Sequence, residues 1–367
     1  MVRGVFVLGR LCRDLGVTPT TPIHRLTGAA QQCRASAGRD GHMLNQTNRE
    51  GSKGFSTDHT LSELACNVYI SEGKDRTIID AIVDSLSNTG TDSSSKGVSI
   101  MGHVFIDSTY NRTGITLVGS TSSAIAQGAA TVSAKALELI DLRKHRATHP
   151  RLGVVDHISC HPLVQDGNTM SHARDAARKI ARLLGEEYGL PTYVYGTASY
   201  HDGETSLAEI RRRFGYFKPQ TMHGTTQVWK GASLDAEHQA ALRAHPPAFG
   251  PSVVRPEWGI ACVGSVPWVV NHNVVLNTPD VAVAKDIARR VSERGGGLQA
   301  VQAMGLEVDN GVEVACNLLD SGVSDATQVD DFISRVGQQD FGVQVVRSYQ
   351  TGKTIQELRR QLENAIL

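Results

Sequence analysis

From Leu61 to the C-terminus, short apolar runs alternate with amphipathic stretches of helical period, and that alternation leaves few architectures open. Cys66–Ile70 reads as a strand. Ser71 is a candidate N-cap for a helix that continues through Thr77–Val83. Val98–Asp107 and Thr113–Val118 read as two strands joined by a polar turn, and Ser120–Asp141 as a long Ala-rich helix. Gly153–Pro162 is β-rich. Thr169–Tyr188 is amphipathic and closed by Gly189 and Pro191, Thr192–Tyr195 is a strand, and Ser206 with Glu209 forms a capping box. The order β-α-β-β-α-β-α-β is that of an α/β sheet with helices packed on it. Residues 219–248 break the pattern with Gly, His and Pro around a short helix, Asp235–Arg243.

A second, smaller unit follows, in the order β-β-α-β-β-α-β-α. Its strands are Gly259–Gly264, Trp268–Leu276, Val301–Val308, Val312–Leu318 and Val343–Tyr349. One helix starts at Thr278-Pro279-Asp280 with proline at its first position, another lies near Val329–Val336, and the last opens on Thr354 and Glu357. Two lobes with a ligand cleft between them are the expected outcome.

The stretch before residue 59 is different. Arg3, Arg10, Arg13, Arg25, Arg34 and Arg39 outnumber Asp14 and Asp40, the acids before Glu50, and 41–58 is a polar linker. Such a leader suits an organelle transit peptide or a disordered extension, and the location is cytoplasmic or organellar accordingly. Beyond it, Lys+Arg and Asp+Glu balance at 37 each over the whole chain, which offers no basic field for nucleic acid. No apolar run reaches the ~20 residues of a membrane helix. The six cysteines are scattered without a CxxC pair, which points to buried thiols rather than a zinc ribbon or a disulfide framework.

Side chains that could do chemistry are densest in LIDLRKHRATHPRLGVVDHISCHPL (139–163), with His145, His149, His157 and His161. No metal is expected there. Pro150 disfavours helix at His149, so His145 and His149 do not share a helix face, and four residues of strand separate His157 from His161 by ~13 Å. His149, in a rigid connection between helix and strand, is open to two readings: an acid–base group or a surface residue at a turn. Ser71–Lys74 could present backbone N–H groups to an anion, and Ser292–Gly297 reads as a helix C-terminal turn rather than a phosphate loop.

Asn111-Arg112-Thr113, the block 139–156, PTYVYG (191–196) and Phe249-Gly250-Pro251, followed by Asn271-His272-Asn273, SERGGGLQAVQAMG (292–305) and CNLLD (316–320), occur here in the order seen in the formiminotransferase family. The chain resembles that family over about residues 61–350. The resemblance implies two ferredoxin-like α/β subdomains, at 59–257 and 258–367, with a folate groove between them, and a homodimer. It implies tetrahydrofolate as co-substrate and N-formimino-L-glutamate as donor, with His149 of the His-Pro-Arg motif as general acid/base. Asp107, Asn111, Arg112 and Tyr195 are the implied substrate-binding residues, and Gly250, Pro251, Ser252, Pro256, Trp258 and Gly259 the folate segment. Val68-Tyr69-Ile70 and Ala248 depart from the family pattern, and no stretch of these 367 residues is read as the cyclodeaminase domain of animal members. Formyl transfer between 5-formyltetrahydrofolate and glutamate, or folate binding without catalysis, therefore stand as alternatives.

Overall fold

The structure, a computed structural model, describes residues 62–87, 97–147, 149–164, 169–200, 205–216, 229–230, 236–308 and 311–367. The basic leader lies outside them. The described residues form one compact unit built on a six-stranded and a four-stranded sheet, with one further two-stranded pairing.

In the first lobe the elements run β1 (Leu64–Ile70), α1 (Arg76–Ser87), β2 (Ser99–Asp107), β3 (Arg112–Gly119), α2 (Ser122–Leu139), β4 (Arg146–Ala147), β5 (Val155–Pro162), α3 (Thr169–Arg182), β6 (Thr192–Gly196), α4 (Leu207–Arg213), β7 (Trp229–Lys230), α5 (Ala236–Ala244) and β8 (Ala261–Ser265). The sheet order is β2-β3-β1-β5-β8-β6; pairing is antiparallel as far as β5, after which β8 and β6 add in parallel. The first four of its strands and α1 and α2 make a βαββαβ unit of ferredoxin-like order. The second lobe repeats it with β9 (Val270–Leu276), α6 (Val281–Val291), β10 (Val301–Val308), β11 (Gly311–Leu318), α7 (Ala326–Val336), β12 (Val345–Gln350) and α8 (Ile355–Ile366). Its four strands lie in the order β10-β11-β9-β12, all antiparallel. Because β8 hydrogen-bonds into the first sheet, the chain changes sheets after Ser265, later than the boundary expected at 257/258.

Strand periodicity decides which face each residue serves. Leu64, Cys66, Val68 and Ile70 of β1 enter the core under α2 and α3, where the small side chains Ala129, Ala136, Ala173 and Ala177 let the helices approach the sheet. Ala65, Asn67 and Tyr69 take the opposite, open face. There α8 packs Leu358 and Leu362 on Ala65, Val118 and Leu163, and α4 and α5 cover Tyr193, Tyr195 and Cys262. Between these two covers a polar strip remains, and the second lobe meets it: Asn271 Nδ2 donates to Tyr69 Oη (3.2 Å), and Tyr110 Oη donates to Glu313 Oε1 (2.6 Å). His161 fixes the crossing between lobes. Its Nδ1–H points at the carbonyls of Val266 (3.1 Å) and Pro267 (2.9 Å), while Nε2 accepts from Ser159 Oγ (2.8 Å).

Several local signals resolve differently from their sequence reading. Ser71 does not cap α1; its hydroxyl donates to Gly153 O (2.7 Å), and Asp75 Oδ1 accepts from Thr77 N (2.9 Å) and Ile78 N (3.2 Å) instead. Pro279 precedes the N-cap of α6, which is Asp280, accepting from Ala282 N at 2.8 Å. The capping boxes at Ser206/Glu209 and Thr354/Glu357 form as read. The Ser292–Gly297 stretch closes α6 with a short 3-10 turn and a left-handed Gly296 (φ 85).

Candidate active site

The site begins at a β-bulge. Tyr69 of β1 pairs with His157 and the next residue, Ile70, pairs with Val155, so Asp156 is the extra residue on β5. Strict alternation would have sent Asp156 toward the helices with Ile158; the bulge re-aims it. Its side chain is buried yet fully engaged. Oδ1 accepts from Leu152 N (2.6 Å), and Oδ2 accepts from Arg112 Nη2 and Arg211 Nη2, each at 3.0 Å. Burial alone would push this carboxyl up; the Arg112 guanidinium, with His157 and Arg211, outweighs it and holds it well below the usual carboxylate range.

Arg112 comes from the start of β3 and is 8% exposed. Its guanidinium stands over the Tyr69 ring (5.5 Å), and Tyr69 in turn stacks on His157 with centroids 4.2 Å apart. The other end of the guanidinium reaches His149: Nη1 lies 2.6 Å from Nδ1 and 3.2 Å from Nε2. Nδ1 also lies 2.8 Å from Pro150 O. A carbonyl can only accept and a guanidinium can only donate, so Nδ1 stands between opposite demands: Pro150 O favours a proton on it, and Arg112 Nη1, its nearer neighbour, favours a lone pair. Desolvation, then the neighbouring Arg112 charge, draw the imidazole well below its ordinary value, against the pull of the Pro150 carbonyl. His149 is thus a neutral base, half-buried, flanked by Tyr110 (5.4 Å) and Tyr216 (6.3 Å).

The turn that carries Arg112 is tightly specified. Asp107 Oδ1 accepts from Tyr110 N, three residues on, at 2.8 Å. Asn111 is left-handed (φ 51); its side chain accepts from Gly73 N (2.8 Å) and donates to Arg146 O (3.0 Å), and its carbonyl accepts from His145 Nε2 (2.9 Å). The four histidines of the 139–163 block therefore do four jobs: His145 holds the turn, His149 faces Arg112, His157 stacks on Tyr69, and His161 pins the crossing between lobes.

Of the residues singled out in the sequence, His149, Arg112, Asn111 and Asp107 are brought together. Tyr195 of β6 lies level with Ser159 of β5 across Gly264 of β8, 3% exposed, its hydroxyl donating to Ile158 O (3.1 Å) and its ring over Gly264. The Gly250–Gly259 segment is not among the contacts that surround His149. Gly250 packs on Leu190 near the end of α3, while Pro251, Ser252 and Pro256 are exposed. Trp258 donates to Leu137 O of α2 (2.9 Å) beneath the Arg255 guanidinium, and Gly259 is bridged to Gly153. The Ser71–Lys74 turn holds its own anion: Glu72 Oε1 accepts from Gly73, Lys74 and Asp75 N at 2.8–3.0 Å.

Sequence reasoning missed Asp156, Arg211, Tyr69, Tyr110 and Glu313. Arg211 sits in an Arg-Arg-Arg run that reads as the solvated end of a helix. Asp156, one charged residue after Gly-Val-Val in a β-rich run, was the signal available.

Residues 63–266 match the family model described as the formiminotransferase domain, N-terminal subdomain. The chain belongs to the formiminotransferase family. It is a transferase enzyme. The formiminotransferase cyclodeaminase-like protein of Arabidopsis thaliana is 36% identical, over 79% of this chain and 92% of its own length. The glutamate formimidoyltransferase of Thermoplasma acidophilum is 32% identical, over 70% and 77%. The formimidoyltransferase-cyclodeaminase of Sus scrofa is 30% identical over 76% of this chain, which spans 48% of that longer protein. The match to the formiminotransferase N-terminal subdomain ends where β8 leaves the first sheet.

Proposed function

We propose that this formiminotransferase moves a formimino group from N-formimino-L-glutamate to tetrahydrofolate, with His149 taking and returning the proton. The observation that carries the reading is the half-buried His149 imidazole, held by Pro150 O and set directly against the Arg112 guanidinium, which keeps it neutral.

Around it, two guanidiniums share one carboxylate, which leaves a positive charge in excess beside a neutral ring. That excess suits an anionic substrate, and a glutamate derivative brings carboxylates that a guanidinium fork accepts in pairs. Arg112 gives up its contact to the imidazole when a substrate carboxylate arrives, while Asp156 keeps its other edge in place. The freed ring nitrogen then faces the reacting nitrogen. N5 of tetrahydrofolate attacks the formimino carbon; His149 takes the proton this nitrogen loses and delivers it to the glutamate nitrogen as the old C–N bond breaks. One bond forms, one breaks, and the imidazole ends as it began. Proton transfer of this kind contributes ~10²–10⁴-fold, and holding both substrates together contributes more. Asp107, Asn111 and Tyr195 enter as supports of the turn and the sheet, and the Gly250–Pro256 run, exposed except at Val254, as a surface open to the outer part of a folate.

The test is formimino transfer by purified parent and His149→Ala proteins, with a panel of donors that includes 5-formyltetrahydrofolate. Equal turnover by the two proteins on every donor ends the proposal.

A further inference from the structure

Two of the phenols beside the Arg112–His149 pair, those of Tyr69 and Tyr110, are fastened by their hydroxyls to the second lobe. Tyr69, stacked on His157 and under Arg112, accepts from Asn271 of β9. Tyr110, whose ring lies 5.4 Å from His149, donates to Glu313 of β11 at 2.6 Å. Glu313 is the more demanding of the two anchors. It is 0% exposed, and its carboxylate is met by neutral donors from neighbouring strands: Asn273 Nδ2 of β9 on Oε1 (2.8 Å) and Tyr349 Oη of β12 on Oε2 (3.0 Å). Burial pushes the carboxyl up, and the two tyrosine hydroxyls oppose that rise. A buried acid on an open-face position of a strand otherwise filled by Val312 and Val314 is costly for the fold unless its acceptors are used. Here Oε1 takes, beside Asn273 Nδ2, a hydroxyl that comes from the other lobe, two residues before Arg112, while Oε2 takes Tyr349.

We infer that Glu313 is a positioning residue. From the second lobe it fixes Tyr110, and through the turn that Tyr110 shares with Asn111 and Arg112 it sets where the guanidinium and the His149 ring stand. This rests on His149 being the reacting base, but the placement of the ring can be read without turnover. Glu313 also lies beyond the segment that matches the N-terminal subdomain model, so the first lobe by itself lacks this brace.

Three variants of the full chain test it: Glu313→Leu removes both acceptors, Tyr110→Phe removes only the donor, and Glu313→Gln keeps an acceptor for Tyr110 while its amide faces the Tyr349 oxygen. Each is assayed with N-formimino-L-glutamate and tetrahydrofolate, and the His149 ring nitrogens are followed by NMR across pH. Displacement by about an ångström costs ~10²-fold in rate, so Glu313→Leu and Tyr110→Phe lower kcat by that order. KM for both substrates stays within about threefold, because the loss falls on the reacting geometry and not on uniform binding. The His149 resonances and their titration shift in these two variants, and Glu313→Gln restores them. Unshifted His149 signals in folded Glu313→Leu overturn the inference, as does a Gln variant as impaired as the Leu one. If Glu313→Leu does not fold, Tyr110→Phe carries the same comparison. A parent protein without formimino transfer would sink the functional proposal alone, since the NMR readout still decides the brace.

Discussion

Asp156 holds Arg112 at 3.0 Å from a bulge on β5, and this one ion pair sets the orientation of the guanidinium that lies against His149. Because the same oxygen also holds Arg211, replacing the carboxylate strands two buried cations. Asp156→Asn is expected to cost about 3–5 kcal/mol of stability, the usual loss when one partner of a buried ion pair is removed. A fall in kcat/KM of ~10²-fold or more accompanies it as Arg112 drifts. Urea titration and steady-state rates on the same preparation check both; a variant as stable as the parent contradicts the buried-pair argument.

Acid should destabilise this fold earlier than its carboxylates alone would. His149 is held well below its ordinary value; burial, with nearby arginines, takes His145 and His157 to about 3, and burial takes His161 to about 4. Unfolded histidines titrate near ~6.5, so below that pH the unfolded chain binds more protons than the native one. Stability present above pH ~6.5 is therefore lost as pH falls toward 4, by about 1.4 kcal/mol per pH unit for each of these imidazoles. Denaturation midpoints at pH 7.5, 6 and 5 measure the slope. A flat profile over that range rules out the buried neutral histidines.

Catalysis reports one of these rings separately. In the free enzyme the acid limb of kcat/KM follows His149 and falls below pH 6.5, since the ring must be neutral to take a proton. A bound substrate carboxylate beside Arg112 offsets the charge that depresses the ring. The acid limb of kcat therefore moves to higher pH than that of kcat/KM. Coincident limbs would mean that no anion approaches Arg112.

The sequence made the alternation of strands and helices legible, because apolar period and capping boxes are local and strong, as at Ser206/Glu209 and Thr354/Glu357; the repeated ferredoxin-like order was implied by the family resemblance. It also picked out His149 and Arg112, whose neighbours in the chain form specific motifs. What it hid was non-local. The Asp156 bulge exists only in the pairing of β1 with β5, and Glu313 acquires a role only once β11 faces the β2–β3 turn. Arg211 points inward from a helix whose adjacent Arg212 and Arg213 are what such a helix end normally shows. Ser71 failed as a cap because Gly153 O, eighty-two residues away, competes for its hydroxyl.

Gly73 offers a steric test of the turn. Its amide donates to Asn111 Oδ1, and a Cβ there would strike the backbone of Asp107 and Arg112. Those atoms belong to the β2–β3 connection and cannot rotate away. Gly73→Ala is expected to cost roughly 1–3 kcal/mol and to lower turnover beyond what the stability loss explains, since Arg112 moves with its own backbone. Thermal melts and rates well below Tm separate the two effects; unaltered turnover would show that the turn tolerates displacement.

Arg112→Lys keeps the charge and removes the fork. The lysine ammonium can meet Asp156 or a substrate carboxylate, but its compact head cannot span His149 and Asp156 as the guanidinium does at 3.2 Å and 3.0 Å. Losing a charge-assisted hydrogen bond to the substrate is worth about 1.5–3 kcal/mol, so KM for the glutamate-derived donor rises roughly 10- to 100-fold. KM for tetrahydrofolate changes little, because the excess charge serves the donor. Initial rates with each substrate varied in turn give the split. An equal rise in both constants would remove Arg112 from donor recognition and leave it only its hold on the imidazole.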